Sequence, residues 1–286
     1  MWYNTKATEI LGINYPIMQG PFGGGFSTVA LVAAVSNEGG LGGYGAYTLS
    51  PEEIVEADKK IKAATNKPYN INLWVSDTDA SGGTVTDEQY EQAAQLFKPY
   101  FDEAGVALPV KPAFKSRFEN QVQVILDIRP KVFSFVFGIP SADILEQCRK
   151  LGIKLIGAAT TLDEALALET AGIDMIIASG FESGGHRPSF LAPAEQSTTG
   201  TFVLLQLIKD KVKIPVIAAG GIANGRGIAA ALTLGADAVQ VGTAFWPPMN
   251  PVRHPFTNKC CFLMQLNTLP YPVPLPAGLA EVLQAG

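Results

Sequence analysis

From residue 132 to residue 245 the chain repeats one unit: a short apolar run, then glycine or a hydroxyl residue, then an amphipathic stretch. Apolar runs at 132–137, 154–159, 175–178, 216–219 and 238–241 alternate with helical patterns at 142–150, 162–171, 201–211 and 226–234. Ser141 and Thr161 read as N-caps, and Gly152, Gly172 and Gly235 as helix stops. Strands that are apolar on both faces and alternate with helices call for a parallel sheet covered by helices. Three more strands precede this region, at 15–19, 41–46 and 69–75, with helices starting at Ser27 and after the Ser50-Pro51 cap. Residues 76–116 read as an insertion after the third strand, with a helix near 87–100, and a helix from Arg117 leads into the fourth strand. Eight such strands over this length predict a (β/α)8 TIM barrel. An open doubly wound sheet would carry G-x-G-x-x-G in its first turn, and the glycines at 23–25 lack that spacing.

Function in such a barrel belongs at the C-terminal ends of the strands. Three successive ends there carry glycines: Ser183-Gly184-Gly185-His186-Arg187, Gly220-Gly221 and Gly242-Thr243. Glycine lets a backbone approach a ligand closely, and N–H groups at a following helix start suit a phosphate. The pattern predicts a phosphate-bearing cofactor beside an ionisable side chain, His186. Plainer readings stand next to it. His186 could be a loop histidine with a structural hydrogen bond, and the glycine pairs could be turns. Asn72, inside an apolar strand, needs either a ligand or a structural partner.

Composition narrows the rest. With 47% hydrophobic and 16% charged residues, the chain can build a sizeable core. A net charge of −5 without a basic stripe argues against nucleic acid. No apolar stretch has the length of a membrane span, and the first residues lack the pattern of a signal peptide, so a cytoplasmic protein is expected. Three cysteines, two of them adjacent, make no disulfide framework and no metal site. No cysteine lies between Cys148 and Cys260, which excludes an IMP-dehydrogenase-like barrel with its loop nucleophile. Cys148 itself reads as a buried or helix-surface residue.

The stretches YPIMQGP, SNEGGLGGYGA, NINLWV, FVFGIPS, KLIGAATTLDEA, GFESGGHRPSFL and IPVIAAGGIANGRGIAAALTLGADAVQVGTAF resemble the nitronate monooxygenase family, formerly the 2-nitropropane dioxygenases. Its flavin-dependent relatives include enoyl-acyl-carrier-protein reductases and quinone reductases. The resemblance implies FMN as cofactor and oxidation of alkyl nitronates, or of nitroalkanes, by O2 to a carbonyl compound and nitrite. It implies that Gln19 and Gly20 of the first loop pass near the flavin ring and that Asn72 hydrogen-bonds it. Ser179, Gly184, Gly185, Gly220, Gly221, Gln240, Val241, Gly242 and Thr243 would complete the cofactor site, with backbone N–H groups on the phosphate. His186 would be the catalytic residue over the flavin. A neutral imidazole can take a proton from a nitroalkane, whereas an imidazolium can bind an anionic nitronate. One departure is visible at Ser179, where many relatives have glutamine; a serine loses a flavin contact or accepts a bridging water. A second reading is an FMN-dependent NAD(P)H reductase of quinones or enoyl thioesters. The partners expected are a small nitronate and O2, with oligomeric state left open.

The pattern changes after Phe245. Residues 246–286 hold eight of the twenty prolines and only three charged residues, and no amphipathic helix follows where the eighth should. Domain organisation is therefore read as an FMN-binding barrel over 1–245 and an atypical proline-rich tail over 246–286. Read one nucleotide earlier, the codons spanning Phe245 and Trp246, then Trp246 and Pro247, must encode Leu and Ala. The codon spanning Met249 and Asn250 must encode Glu, and the next Ser or Pro. Relatives show Leu-Ala-x-x-Glu-Ser at this place. The reading is a frameshift near Phe245, which sequencing of the gene would refute if no frame continues the barrel. A third functional reading follows from it, a truncated barrel without turnover.

Overall fold

The computed structural model describes residues 1–76, 86–110 and 117–245. The expected tail, its missing eighth helix and the frameshift point lie at or beyond the last of these. Eight parallel strands run β1 (Ile17–Gln19), β2 (Gly42–Gly45), β3 (Tyr69–Trp74), β4 (Val132–Val136), β5 (Lys154–Ala159), β6 (Met175–Ser179), β7 (Val216–Ala219) and β8 (Ala238–Val241). Their order is β1-β8-β7-β6-β5-β4-β3-β2, every pair parallel, so each strand neighbours its successor and the sheet curls round on itself. The TIM barrel expected from the alternation is present.

The joint between β1 and β2 is made differently from the others. Single bridges at Met18–Leu41 and Phe22–Tyr44 replace a ladder. The Gln19 carboxamide reinforces them, donating from Nε2 to the Gly43 carbonyl at 2.9 Å and accepting the Gly43 N–H at 3.3 Å. Strand β2 is glycine-rich because it threads a gap that a side chain would fill. A Cβ on Gly43 would stand 2.4 Å from the Gln19 carbonyl oxygen.

Helices fill the crossovers. They are α2 (Val29–Asn37), α3 (Pro51–Ala64), α5 (Phe118–Ile128), α6 (Ala142–Lys150), α7 (Leu162–Thr170), α8 (Thr201–Lys209) and α9 (Gly225–Thr233). Side chains at alternate strand positions sort into two cores. Phe133, Phe135, Leu155, Ile176, Ala218 and Val239 face the helices in one cluster, while Met18, Val132, Ile156, Ile177, Ile217 and Ala238 fill the barrel in another. The interior core also includes Ala7 and Leu11 of a short helix, α1 (Lys6–Leu11), both fully buried. A Thr5–Thr8 capping box starts α1 and left-handed Gly12 ends it. Burying Leu11 contributes about 2 kcal/mol. Helix α1 thus plugs the N-terminal end of the barrel.

After β3 comes α4 (Asp87–Ala104), in the segment expected as an insertion, and it buries none of its side chains. It runs past the expected end at residue 100 because it accommodates Pro99 in its interior. No helix among the described residues is long and apolar enough to cross a membrane. Nor, among them, do three or more His, Cys, Asp or Glu side chains gather as a metal site would need. Cys148 is buried in the outer core, which pushes its thiol up to about 11. It has no nucleophilic character at neutral pH.

Candidate active site

Strand parity decides which side chains reach the barrel mouth. In β3 the residues Tyr69, Ile71 and Leu73 pack outward, so Asn70, Asn72 and Trp74 point inward. By the same alternation Ser134, Ser179, Ala219 and Gln240 face the interior, joined by register as Asn72–Ser134 and as Ser179–Ala219–Gln240–Met18. This ring is polar where a barrel core is usually aliphatic. Asn70 and Asn72 both donate from Nδ2 to Ser134 Oγ, at 2.8 and 2.9 Å. Among the described residues, the buried Oε1 of Gln240 and Oδ1 of Asn70 have no hydrogen-bond partner. An orphaned buried acceptor costs about 1–3 kcal/mol, and Gln240 at the rim is placed to recover it from a ligand.

Above this ring the glycine loops converge. A Cβ on Gly184 would lie 4.0 Å from Thr243 Oγ1, one on Gly221 would lie 3.4 Å from Glu182 Cβ, and ones on Gly20 and Gly242 would each lie 3.7 Å from Phe22. The ends of β6, β7, β8 and β1 therefore meet across one cleft. The glycines in it divide into two kinds. Gly184, Gly185 and Gly221 are exposed, and a Cβ at Gly185 would meet nothing within 4 Å. Gly220, one residue from Gly221, would drive a Cβ to 2.5 Å from Thr201 Oγ1 and 2.9 Å from the Ser183 backbone nitrogen. Gly220 is thus glycine because loops pack against it, and Gly221 stands at the open surface. Asn224 caps α9 directly behind, accepting the Gly227 N–H at 3.2 Å.

His186 is exposed at the mouth and sits in an aromatic group. Its ring lies edge-on to Trp74 at 4.8 Å and to Phe137 at 6.3 Å between centroids. Trp74 in turn stacks on Tyr47 at 3.6 Å. Phe137 holds φ 59°, a left-handed backbone rare for a bulky side chain and a mark of local constraint at the mouth. None of these three aromatics was expected at the site, because each joins His186 from a different strand end.

The loop bearing His186 is tied down on both sides. Arg187 donates to the carbonyls of Gly180 at 2.7 Å and Phe181 at 2.8 Å, with its guanidinium 5.2 Å from the Phe181 ring centre. Glu182 accepts the N–H and hydroxyl of Thr201, at 2.8 and 3.0 Å, at the start of α8. Burial alone would raise the Glu182 carboxyl. The hydrogen bonds from its own backbone and from Thr201, with the Arg187 charge, outweigh that and hold it below the usual range. On the far limb, Glu164 is fully buried yet has no cationic partner among the described residues. It accepts Thr160 N–H and hydroxyl at 2.7 Å each, Phe190 N–H at 2.6 Å and Leu191 N–H at 3.1 Å. Four donors on one carboxylate pin this loop to β5 and α7. Glu164 was legible only as an acid in a helix first turn, a place that exposes most such residues.

Two expected cofactor residues do not present their side chains. Gln19 turns outward to Gly43, Gly20 and Ser27, since its strand position shares the parity of Ile17. Val241 packs in the outer core, and its carbonyl accepts the Gly20 N–H at 2.8 Å. Ser179 does face inward, but its hydroxyl bonds Ser183 Oγ at 3.1 Å.

The sequence profile of the nitronate monooxygenase family matches residues 4–256. The chain belongs to this family. It is an enzyme of the oxidoreductase class. It is 43% identical over 248 residues to a probable nitronate monooxygenase of Staphylococcus haemolyticus, covering 86% of this chain and 68% of that one. Among solved structures it is similar to nitroalkane oxidase from Streptomyces ansochromogenes, with TM-score 0.76, 32% identity and coverage of 84% and 67%. It is also similar to FabK from Thermotoga maritima, with TM-score 0.62, 31% identity and coverage of 84% and 61%. The chain spans about two thirds of the length of these relatives.

Proposed function

We propose that the chain binds FMN at the barrel mouth and oxidises alkyl nitronates with O2 to a carbonyl compound and nitrite. The observation that carries this reading is the convergence of the loops after β6, β7 and β8 on one cleft, beside an exposed imidazole and an inward carboxamide with an orphaned oxygen. Similarity to a nitroalkane oxidase and to probable nitronate monooxygenases supports the substrate class.

The residues present fit the cofactor. Backbone N–H groups of Gly184, Gly185, Gly221, Gly242 and Thr243 would hold the phosphate, with the start of α9 behind them. Gly220 gives that cradle its shape, and Ser179 supports it through Ser183. Asn72 and Gln240 would bind the ring from inside the barrel. Gly20 and Val241 serve through their paired backbones, and Gln19 fixes the first loop in place. Flavin, when bound, supplies the electron acceptor for an electron-rich nitronate. His186 binds the nitronate anion when protonated, and when neutral takes the proton of a nitroalkane. The Trp74–Phe137 wall excludes water and lodges the alkyl substituent.

An anaerobic visible spectrum of the purified protein tests this. Flavin bands that bleach with propyl nitronate and return with air are expected, without any requirement for NADH. Bleaching by NADH and not by nitronate would replace the reading with a reductase. A colourless protein that takes up no added FMN would leave a barrel without turnover.

A further inference from the structure

We propose that Ser134 is the positioning residue that turns Asn72 into a hydrogen-bond acceptor for the flavin ring. The inference rests on the flavin reading above and adds to it how the ring is recognised.

Ser134 is fully buried in the middle of β4, between the outward-facing Phe133 and Phe135. A hydroxyl oxygen offers two lone pairs. Here both are taken, one by Asn70 Nδ2 at 2.8 Å and one by Asn72 Nδ2 at 2.9 Å. The terminal torsion of asparagine is soft and roughly two-fold, so an untethered carboxamide can show a ligand either end. Tethering Nδ2 removes that freedom and turns both carboxamide oxygens away from Ser134.

The two oxygens have different fates. That of Asn70, deeper in the barrel, is sealed off without a partner. That of Asn72, tethered in the same way through Nδ2, lies one inward position nearer the rim. It is left as an acceptor facing the mouth, where the flavin pyrimidine edge carries a ring N–H to donate. Asn70 contributes by occupying the second lone pair, so that no water or ligand can compete for the hydroxyl oxygen. Neither effect shows in the letters VFSFV, where Ser134 is one small residue in a strand.

FMN affinity, read by quenching of its fluorescence on titration into apoprotein, tests the assignment, with a thermal melt of each apoprotein as the fold control. Ser134→Ala is expected to weaken FMN about tenfold, the usual scale for one hydrogen bond. Ser134→Thr, which keeps the oxygen, is expected to stay within about twofold of the parent. Asn72→Ala should weaken FMN at least as much as Ser134→Ala, and the double variant no more than Asn72→Ala alone, because Ser134 acts only through Asn72. Additive losses in the double variant, or parental affinity in Ser134→Ala, would overturn the proposal while leaving the flavin reading standing. A parent protein that binds no FMN would remove both, and would do so before any variant is compared.

Discussion

Replacing His186 with alanine is expected to slow turnover of a propyl nitronate by about 10²–10⁴-fold, the range a positioned acid–base group contributes. The fold and the flavin should survive. His186 is exposed, and its ring contacts among the described residues are with Trp74 and Phe137. Its loss therefore opens no cavity and strands no buried partner, and surface changes of that kind usually stay within about 0.5 kcal/mol. The glycine cradle lies on separate backbone and keeps the phosphate. Steady-state kinetics beside a melting curve and a visible spectrum make the check. Turnover within threefold of the parent, with flavin bound, would exclude His186 from the chemistry.

The largest stability effect is expected at Glu164. Its carboxylate receives four hydrogen bonds with no solvent contact. In Glu164→Gln the amide nitrogen must face donors on one side or the other, Thr160 or the Phe190–Leu191 backbone. Two buried N–H or O–H groups then lose their acceptor, at about 1–3 kcal/mol each. A loss of about 3 kcal/mol corresponds to a melting point lower by roughly 6–12 °C in a domain of this size. FMN affinity should fall as well, because the loop carrying Gly184 and His186 loses its far anchor. Differential scanning calorimetry of the two proteins decides it. A shift under about 2 °C would mean that the loop is held by Arg187 and Glu182 instead.

Most of the architecture could be read from residue order. Strand β6 was expected at 175–178 and ends at Ser179, and α9 was expected at 226–234 and spans Gly225–Thr233. Long-range periodicity made these legible, since each element is long enough to declare its faces. Helix α1 was not. Six residues carry less than two turns of pattern, and its marks are local ones, the Thr5–Thr8 box and Gly12. At the site, glycines announced themselves but not their reasons. Gly220 and Gly221 are neighbours in the chain, yet only the approach of Thr201 and Ser183 separates the sterically required glycine from the open one. Likewise Tyr47, Trp74 and Phe137 become a wall only when β2, β3 and β4 are brought side by side. Gln19 and Val241 were expected at the cofactor site without a side-chain direction. Strand parity sends their side chains outward, and a motif matched by letters does not show which way a strand faces.

The α1 stopper has a consequence of its own. With Ala7 and Leu11 seated in the base beneath the packed interior of Met18, Ile156 and Ile217, the described barrel is open at its rim and closed below. Anything bound at its rim must arrive and depart by the same doorway. A cofactor lying across that rim would cover the packed core beneath it, and the His186 loop would stand at the threshold that the described residues leave open.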